Sequence, residues 1–162
     1  MKLRIGKSLI KRWKVDLVEA GNYEIGGILF GEQVDDSEFI LLDITTQKNS
    51  RFCDSFVRDA DEARRSICKF NEKYNHSYSK YNYLGEWHSH PNFTVLPSTK
   101  DKATMRMLLQ HPDNKANFLL LIIIRINKLH SLEIGAKAYL SSGHVRDCSV
   151  LHFNDLGSKE YQ

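Results

Sequence analysis

The chain alternates between two hydrophobic periods. From Ser8 to Ala20, Leu9, Ile10, Trp13, Leu17 and Val18 fall on one helical stripe, and Gly21-Asn22 ends it. Strands are predicted at about Ile25 to Phe30 and Glu38 to Thr46. A second helix is expected from Asp59 to Tyr74, with Ala63, Ile67 and Phe70 facing inward. After a polar connection, Asn75 to Lys80, residues Tyr81 to His88 read as a strand carrying Tyr83, Leu84 and Trp87. A third helix runs from Ser98 to about Gln110, since Met105, Leu108 and Leu109 recur at helical spacing. The turn His111-Pro112-Asp113-Asn114 leads to strands at Ala116 to Ile126, Leu132 to Leu140 and Val145 to Phe153. Phe118 to Ile124 is apolar throughout, which fits a central strand buried on both faces and is too short to span a bilayer.

Strands interleaved with helices predict an α/β domain with a mixed sheet flanked by helices. Residues 1–153 are expected to form this single domain, with 154–162 as a frayed tail. No repeat, coiled coil or linker interrupts the pattern. At 162 residues, with 41% hydrophobic and 27% charged residues, the composition is that of an ordinary globular protein. A formal charge of +3 does not by itself imply nucleic-acid binding. Cys53, Cys68 and Cys148 are few and widely spaced, which fits a reducing cytoplasm rather than a disulfide framework. Residues Met1 to Lys7 lack the apolar core of a signal peptide.

The chemistry concentrates in Gly85-Glu86-Trp87-His88-Ser89-His90-Pro91, followed by Ser98 and Asp101. On a strand, alternate side chains share a face, so His88 and His90 point one way while Trp87 and Ser89 point the other. Pro91 suits a strand end because it has no N–H to donate. Asp101 sits in the first turn of the following helix, within reach of the strand end and near the positive end of the helix dipole. Two imidazoles and a carboxylate can hold a zinc ion and leave a fourth position for water. Ser98-Thr99-Lys100-Asp101 is equally an ordinary capping box, and either role for Asp101 is compatible with a helix starting at Ser98.

Upstream, Tyr23-Glu24-Ile25-Gly26-Gly27-Ile28-Leu29-Phe30-Gly31 reads as a buried strand entered through a glutamate. A carboxylate beside a metal site can serve as general base and then hand its proton to a leaving amine; the plain alternative for Glu24 is a solvated turn residue. Glu86 is expected on the face of His88 and His90, either orienting a ligand or as a polar strand residue. His76, His111, His130, His144 and His152 read as surface histidines. Tyr74, Tyr78, Tyr81 and Tyr83 crowd the approach to the motif as partial core or partner surface.

With Glu24, His88-Ser89-His90-Pro91, Ser98 and Asp101 in this order, the sequence resembles the JAMM/MPN (JAB) metallopeptidases over roughly residues 5 to 150. The resemblance implies a deaminase-like layered sheet and hydrolysis of isopeptide or peptide bonds after the C-terminus of ubiquitin or ubiquitin-like proteins. It assigns His88, His90 and Asp101 as zinc ligands, Glu24 as general acid/base, Ser98 as hydrogen-bond donor to the oxyanion, and Ser89 and Pro91 as structural residues. Tyr83-Leu84-Gly85-Glu86-Trp87 leading into the motif is similar to the stand-alone bacterial JAB peptidases of anti-phage operons. That likeness implies a substrate made by an E1/E2-like ligase, in which a cGAS-like nucleotidyltransferase (CD-NTase) or a ubiquitin-like protein is conjugated through its C-terminus. Neither nucleic acid nor membrane is expected as a partner. Two alternatives stand: a JAB peptidase serving a sulfur-carrier or other ubiquitin-like system, and a non-catalytic MPN-type binding domain. Zinc deaminases need H-x-E with P-C-x-x-C, and zincins need H-E-x-x-H; the chain has none of these.

Overall fold

The computed structural model describes residues 1–47, 59–112 and 114–154. Cys53, Asp113 of the expected turn and the tail beyond Asn154 lie outside these. The elements in chain order are β1 (Lys2–Gly6), α1 (Lys7–Ala20), β2 (Gly26–Gln33), β3 (Glu38–Ile44), α2 (Ala60–Lys73), β4 (Tyr81–Ser89), α3 (Thr99–Gln110), β5 (Phe118–Ile126), β6 (Leu132–Leu140), β7 (Val145–Asp147) and β8 (Ser149–Phe153). The strands form one mixed sheet in the order β7-β6-β5-β4-β2-β3-β1-β8. The layered α/β architecture matches the expectation from the hydrophobic pattern.

The two faces of the sheet are both covered. On one, Leu9, Trp13 and Leu17 of α1 pack with Ile25, Leu29, Leu84, Trp87, Leu120, Ile122 and Ile124. On the other, α3 brings Met105 to Leu119, Leu121 and Ile123, and α2 brings Ala63 and Phe70 to Ile28 and Phe30. The run Leu119 to Ile124 is therefore buried on both sides, as its unbroken apolar sequence requires. Tyr74 and Tyr81 stack at 4.2 Å as partial core, while Tyr78 is exposed.

Three details depart from the sequence reading. β1 is an additional strand: Leu3 and Ile5 alternate over only five residues, and α1 begins at once with Gly6 as N-cap. Val18 is 72% exposed, because the sheet takes only the narrow i, i+4, i+8 line of Leu9, Trp13 and Leu17. The single strand expected from Val145 to Phe153 is two, divided at buried Cys148. β7 pairs antiparallel with β6, whereas β8 pairs parallel with β1 at the opposite edge. Two edges joined through a single residue must lie close together. The sheet therefore curls around α1, and the Cys148 N–H donates to the Ala136 carbonyl across the seam. Burial pushes the Cys148 thiol up to about 11, with Asp147 adding to the rise and the N-terminal amine and Lys137 opposing it.

A β-bulge in β4 sets which of its residues face which side of the sheet. Leu29 of β2 pairs with Gly85, but the next residue, Phe30, pairs with Tyr83, so Leu84 is extra. Gly85 has φ +142°. The bulge re-phases the strand, and Leu84 and Trp87 both reach the α1 core despite their odd separation. A Cβ at Gly85 would lie 2.0 Å from the Leu120 carbonyl oxygen. Gly85→Ala is expected to lower stability by about 3 kcal/mol or more; an unchanged denaturant midpoint would refute this account of the bulge.

Candidate metal centre

The site forms where β4 ends. β4 lies between β2, antiparallel, and β5, parallel, with His88 opposite Gly26 on one side and Ile123 on the other. Pairing on both edges keeps the backbone extended through Ser89, and the His90 N–H continues the ladder to the Ile124 carbonyl at 2.9 Å. His88 and His90 consequently share the face covered by α2 and α3. Trp87 lies on the other, its ring 5.7 Å from Trp13 and its indole N–H donating to the Thr45 carbonyl. Both imidazoles are buried, each residue 7% exposed.

Asp101 approaches from α3. The capping box is present in full: the Ser98 hydroxyl accepts from the Asp101 N–H at 3.1 Å, and Asp101 Oδ2 accepts from the Ser98 N–H at 2.7 Å. The capping reading of Asp101 is observed, and the geometry stays compatible with the metal-ligand reading as well. While one oxygen caps the helix, Oδ1 lies 3.4 Å from His88 Nε2, and Oδ2 is 3.8 Å from His90 Nε2. Burial raises the pKa of this carboxyl. The hydrogen bond and charge of His88, with the hydroxyl and N–H of Ser98, outweigh it and hold the group well below the usual carboxylate range.

The donor set fits a metal ion. His88 Nε2 and His90 Nε2 are 3.0 Å apart, and the ligand atoms of His88, His90 and Asp101 all lie within 4.8 Å of one another. A tetrahedral ion with metal–nitrogen bonds of about 2.0–2.1 Å needs ligand atoms about 3.4 Å apart, close to the three separations here. His90 Nδ1 lies 2.8 Å from the Thr94 carbonyl. That carbonyl can only accept, so Nδ1 carries the proton and Nε2 turns its lone pair to the centre. Thr94 is a contact the motif does not reveal, because a backbone carbonyl leaves no trace in residue type.

Glu24 is 5% exposed, so it is not a solvated turn residue. Ser89 fixes its location: its hydroxyl accepts from the Ile25 N–H at 3.0 Å and its own N–H donates to the Ile25 carbonyl at 2.8 Å. Continuing the β2–β4 register places Glu24 across from His90. Ile25 packs in the α1 core, and strand alternation continued one residue back would put Glu24 on the face of the histidines. Glu86 is also buried on that face. Gln47 carries no signal in the sequence; it is buried, shares a two-way backbone bridge with Gly26 and accepts from the Asp59 N–H. Gly27 admits the Thr45 backbone, which a Cβ would meet at 2.1 Å. Tyr139 is buried near Asp101; burial and the aspartate charge raise its phenol pKa while Arg106 opposes them. His76, His111, His130, His144 and His152 are all exposed and take no part in the cluster.

His88→Ala is expected to abolish tight binding of a divalent metal, measured as metal content after dialysis, whereas His152→Ala leaves it unchanged. Equal loss in both variants would remove the cluster from consideration.

Among solved structures, the chain is similar to a protein from Desulfitobacterium hafniense at 18% identity and TM-score 0.71, covering 96% of this chain and 95% of that one. It is also similar to a protein from Salinibacter ruber at 17% identity and TM-score 0.57, covering 99% and 97%. At these identities the likeness concerns the fold. No curated protein matches the sequence. The model of the prokaryotic homologs of the JAB domain matches residues 8–135, a span that holds Glu24, both histidines, Ser98 and Asp101. The chain belongs to this prokaryotic JAB family.

Proposed function

We propose that the protein is a zinc-dependent isopeptidase or peptidase that releases a C-terminally conjugated protein from its target. The observation that carries this reading is the convergence of His88, His90 and Asp101 on one point, with buried Glu24 on the same face of the sheet. A purely structural domain has no need to bury two imidazoles and two carboxylates together, since each resists desolvation. The juxtaposed His88, His90 and Asp101 favour this reading over a non-catalytic MPN-type binding domain.

Held by His88, His90 and Asp101, a zinc ion would supply Lewis acidity toward a carbonyl oxygen and would lower the pKa of a water to about 7. Glu24 accepts a proton from the attacking water as its oxygen bonds to the scissile carbonyl carbon. The Ser98 hydroxyl uses an oxygen lone pair for the Asp101 N–H, which leaves its own hydrogen to donate to the developing oxyanion. Glu24 then delivers its proton to the departing nitrogen as the C–N bond breaks, giving a free amine and a carboxylic acid that loses its remaining proton to solvent. Thr94 and Ser98 hold the His90 ring and the Asp101 carboxylate in place throughout.

The substrate we assign is a ubiquitin-like protein or a cGAS-like nucleotidyltransferase joined to its target by an E1/E2-like ligase, in bacterial anti-phage defence. This assignment rests on the lead sequence Leu84-Gly85-Glu86-Trp87 and its likeness to the bacterial anti-phage JAB peptidases. No described helix is long and apolar enough to cross a membrane.

Glu24→Gln keeps the side-chain shape and is expected to abolish turnover with zinc content unchanged; loss of zinc would instead make Glu24 a ligand. Ser98→Ala is expected to lower kcat by about 10²–10³ and stability by about 1 kcal/mol. A stable, zinc-loaded Ser98→Ala protein with unchanged kcat would eliminate the oxyanion role. For the substrate, reporters fused behind the C-terminus of the neighbouring nucleotidyltransferase or ubiquitin-like protein are expected to be cut after its last residue, as located by mass spectrometry. Cuts only at unrelated internal positions, with these junctions intact, would sink the deconjugase assignment and leave the hydrolase.

A further inference from the structure

β5 outruns β4. Its residues alternate in where their backbone groups point. The Asn127 N–H donates to the Ser131 carbonyl and the Ser141 N–H to the Asn117 carbonyl, so odd-numbered residues bond toward β6. Even-numbered residues bond toward β4, as the His90 N–H to Ile124 carbonyl bond shows. Ile126 is next in that series, but β4 has ended at Ser89, and the Asn92 N–H, the next donor along the ladder, makes no bond to the Ile126 carbonyl. The His90 carbonyl, the natural acceptor for the Ile126 N–H, takes the Phe93 N–H instead. Among the described residues neither backbone group of Ile126 has a partner.

This open position faces a groove of about 510 Å³ lined by Pro91, Asn92, Arg125 to Lys128 and Leu129. The walls are fixed. Arg125 donates to the Phe93 carbonyl at 3.0 Å, which ties the motif loop to β5. The Asn127 side chain accepts from the N–H groups of Leu129 and Ser131 and shapes the β5–β6 turn. That turn projects Leu129, 83% exposed, beside the groove. Arg125 is neutralised by Glu133, whereas Lys128 has no anionic partner among the described residues.

We propose that this groove binds an extended, acidic stretch of polypeptide substrate, which pairs with β5 at Ile126 in the lane that β4 vacates. A donor and acceptor side by side on a strand edge recognise another backbone, and flanking side chains select its sequence. Lys128 selects an acidic residue and Leu129 an apolar one. The lane begins where His90 ends, so a chain lying in it leads directly to the ligand cluster. The peptidase reading identifies the occupant as substrate; the binding itself is tested independently of turnover.

The probe is a blocked hexapeptide of alternating valine and threonine with one central aspartate, titrated into ¹⁵N-labelled, zinc-loaded Glu24→Gln protein. The Ile126 amide is expected to shift downfield and to exchange about tenfold more slowly with solvent, with further shifts at Asn92 and Leu129. Lys128→Glu is expected to weaken binding about fivefold and to favour a lysine-bearing version of the peptide. Ile126→Pro removes the N–H on the side away from β6, where the ladder does not use it, and is expected to abolish binding with the β5–β6 cross-peaks retained. If that variant fails to fold, methylating the peptide nitrogen that faces the Ile126 carbonyl provides the same test. Shifts confined to β7 or β8, or binding indifferent to both blocks, overturn the proposal. Peptide bound at Ile126 by a protein that cuts no conjugate supports the groove and counts against the peptidase. Cleavage of conjugates with Ile126 unmoved by the hexapeptide overturns the groove alone.

Discussion

Two side chains at i and i+2 share a face only while the backbone between them stays extended. That constraint on residues 86 to 90 governs the whole site. An isolated strand would not hold it, so β4 is placed centrally, with β2 on one edge and β5 on the other. The same alternation gives each face its own chemistry. Trp87 and Ser89 serve the packing side, while Glu86, His88 and His90 serve the polar one. Ser89 couples the two tasks, since its hydroxyl and N–H both grip Ile25 and thereby bring the start of β2 to the histidines.

Burying several potentially charged groups in one place is unfavourable unless their polar atoms find partners. The fold meets this with contacts that cost little chain entropy. Asp101 is held by the helix it caps, two residues of one turn satisfying each other. The His90 proton goes to a carbonyl four residues along the chain. Asp101 and His90 are thus each oriented by residues near them in sequence. The long-range work falls to the sheet, which assembles Glu24, the histidine pair and α3 from segments far apart in sequence.

Much of this is legible in the sequence because it rests on local pattern. The helices α1, α2 and α3 follow from helical spacing, and β5 from an unbroken apolar run. His88, His90 and Asp101 are identifiable because side-chain chemistry at fixed offsets is visible in residue type. What escapes is carried by backbone or by closure of the sheet. The Thr94 carbonyl, the Gly26–Gln47 bridge and the bulge at Leu84 depend on pairings that no single segment records. β1 escapes because five residues without a preceding turn give alternation too little length to register. The break at Cys148 lies inside a stretch whose pattern continues across it, since both halves are strands and only their partners differ.

That seam has a consequence for how the molecule assembles. β1 meets β3 once about forty residues exist, but its other neighbour, β8, comes from Ser149 to Phe153. Contacts separated by almost the full sequence are slow to form, because the loop entropy is lost before the contact is gained. Until then α1 is wrapped on one side only, and the edge of β1 stays open to stray strands. During synthesis the hydrophobic cylinder therefore closes last at Cys148, long after His88, His90 and Asp101 have emerged, so the completed barrel-like wrap follows the site rather than preceding it.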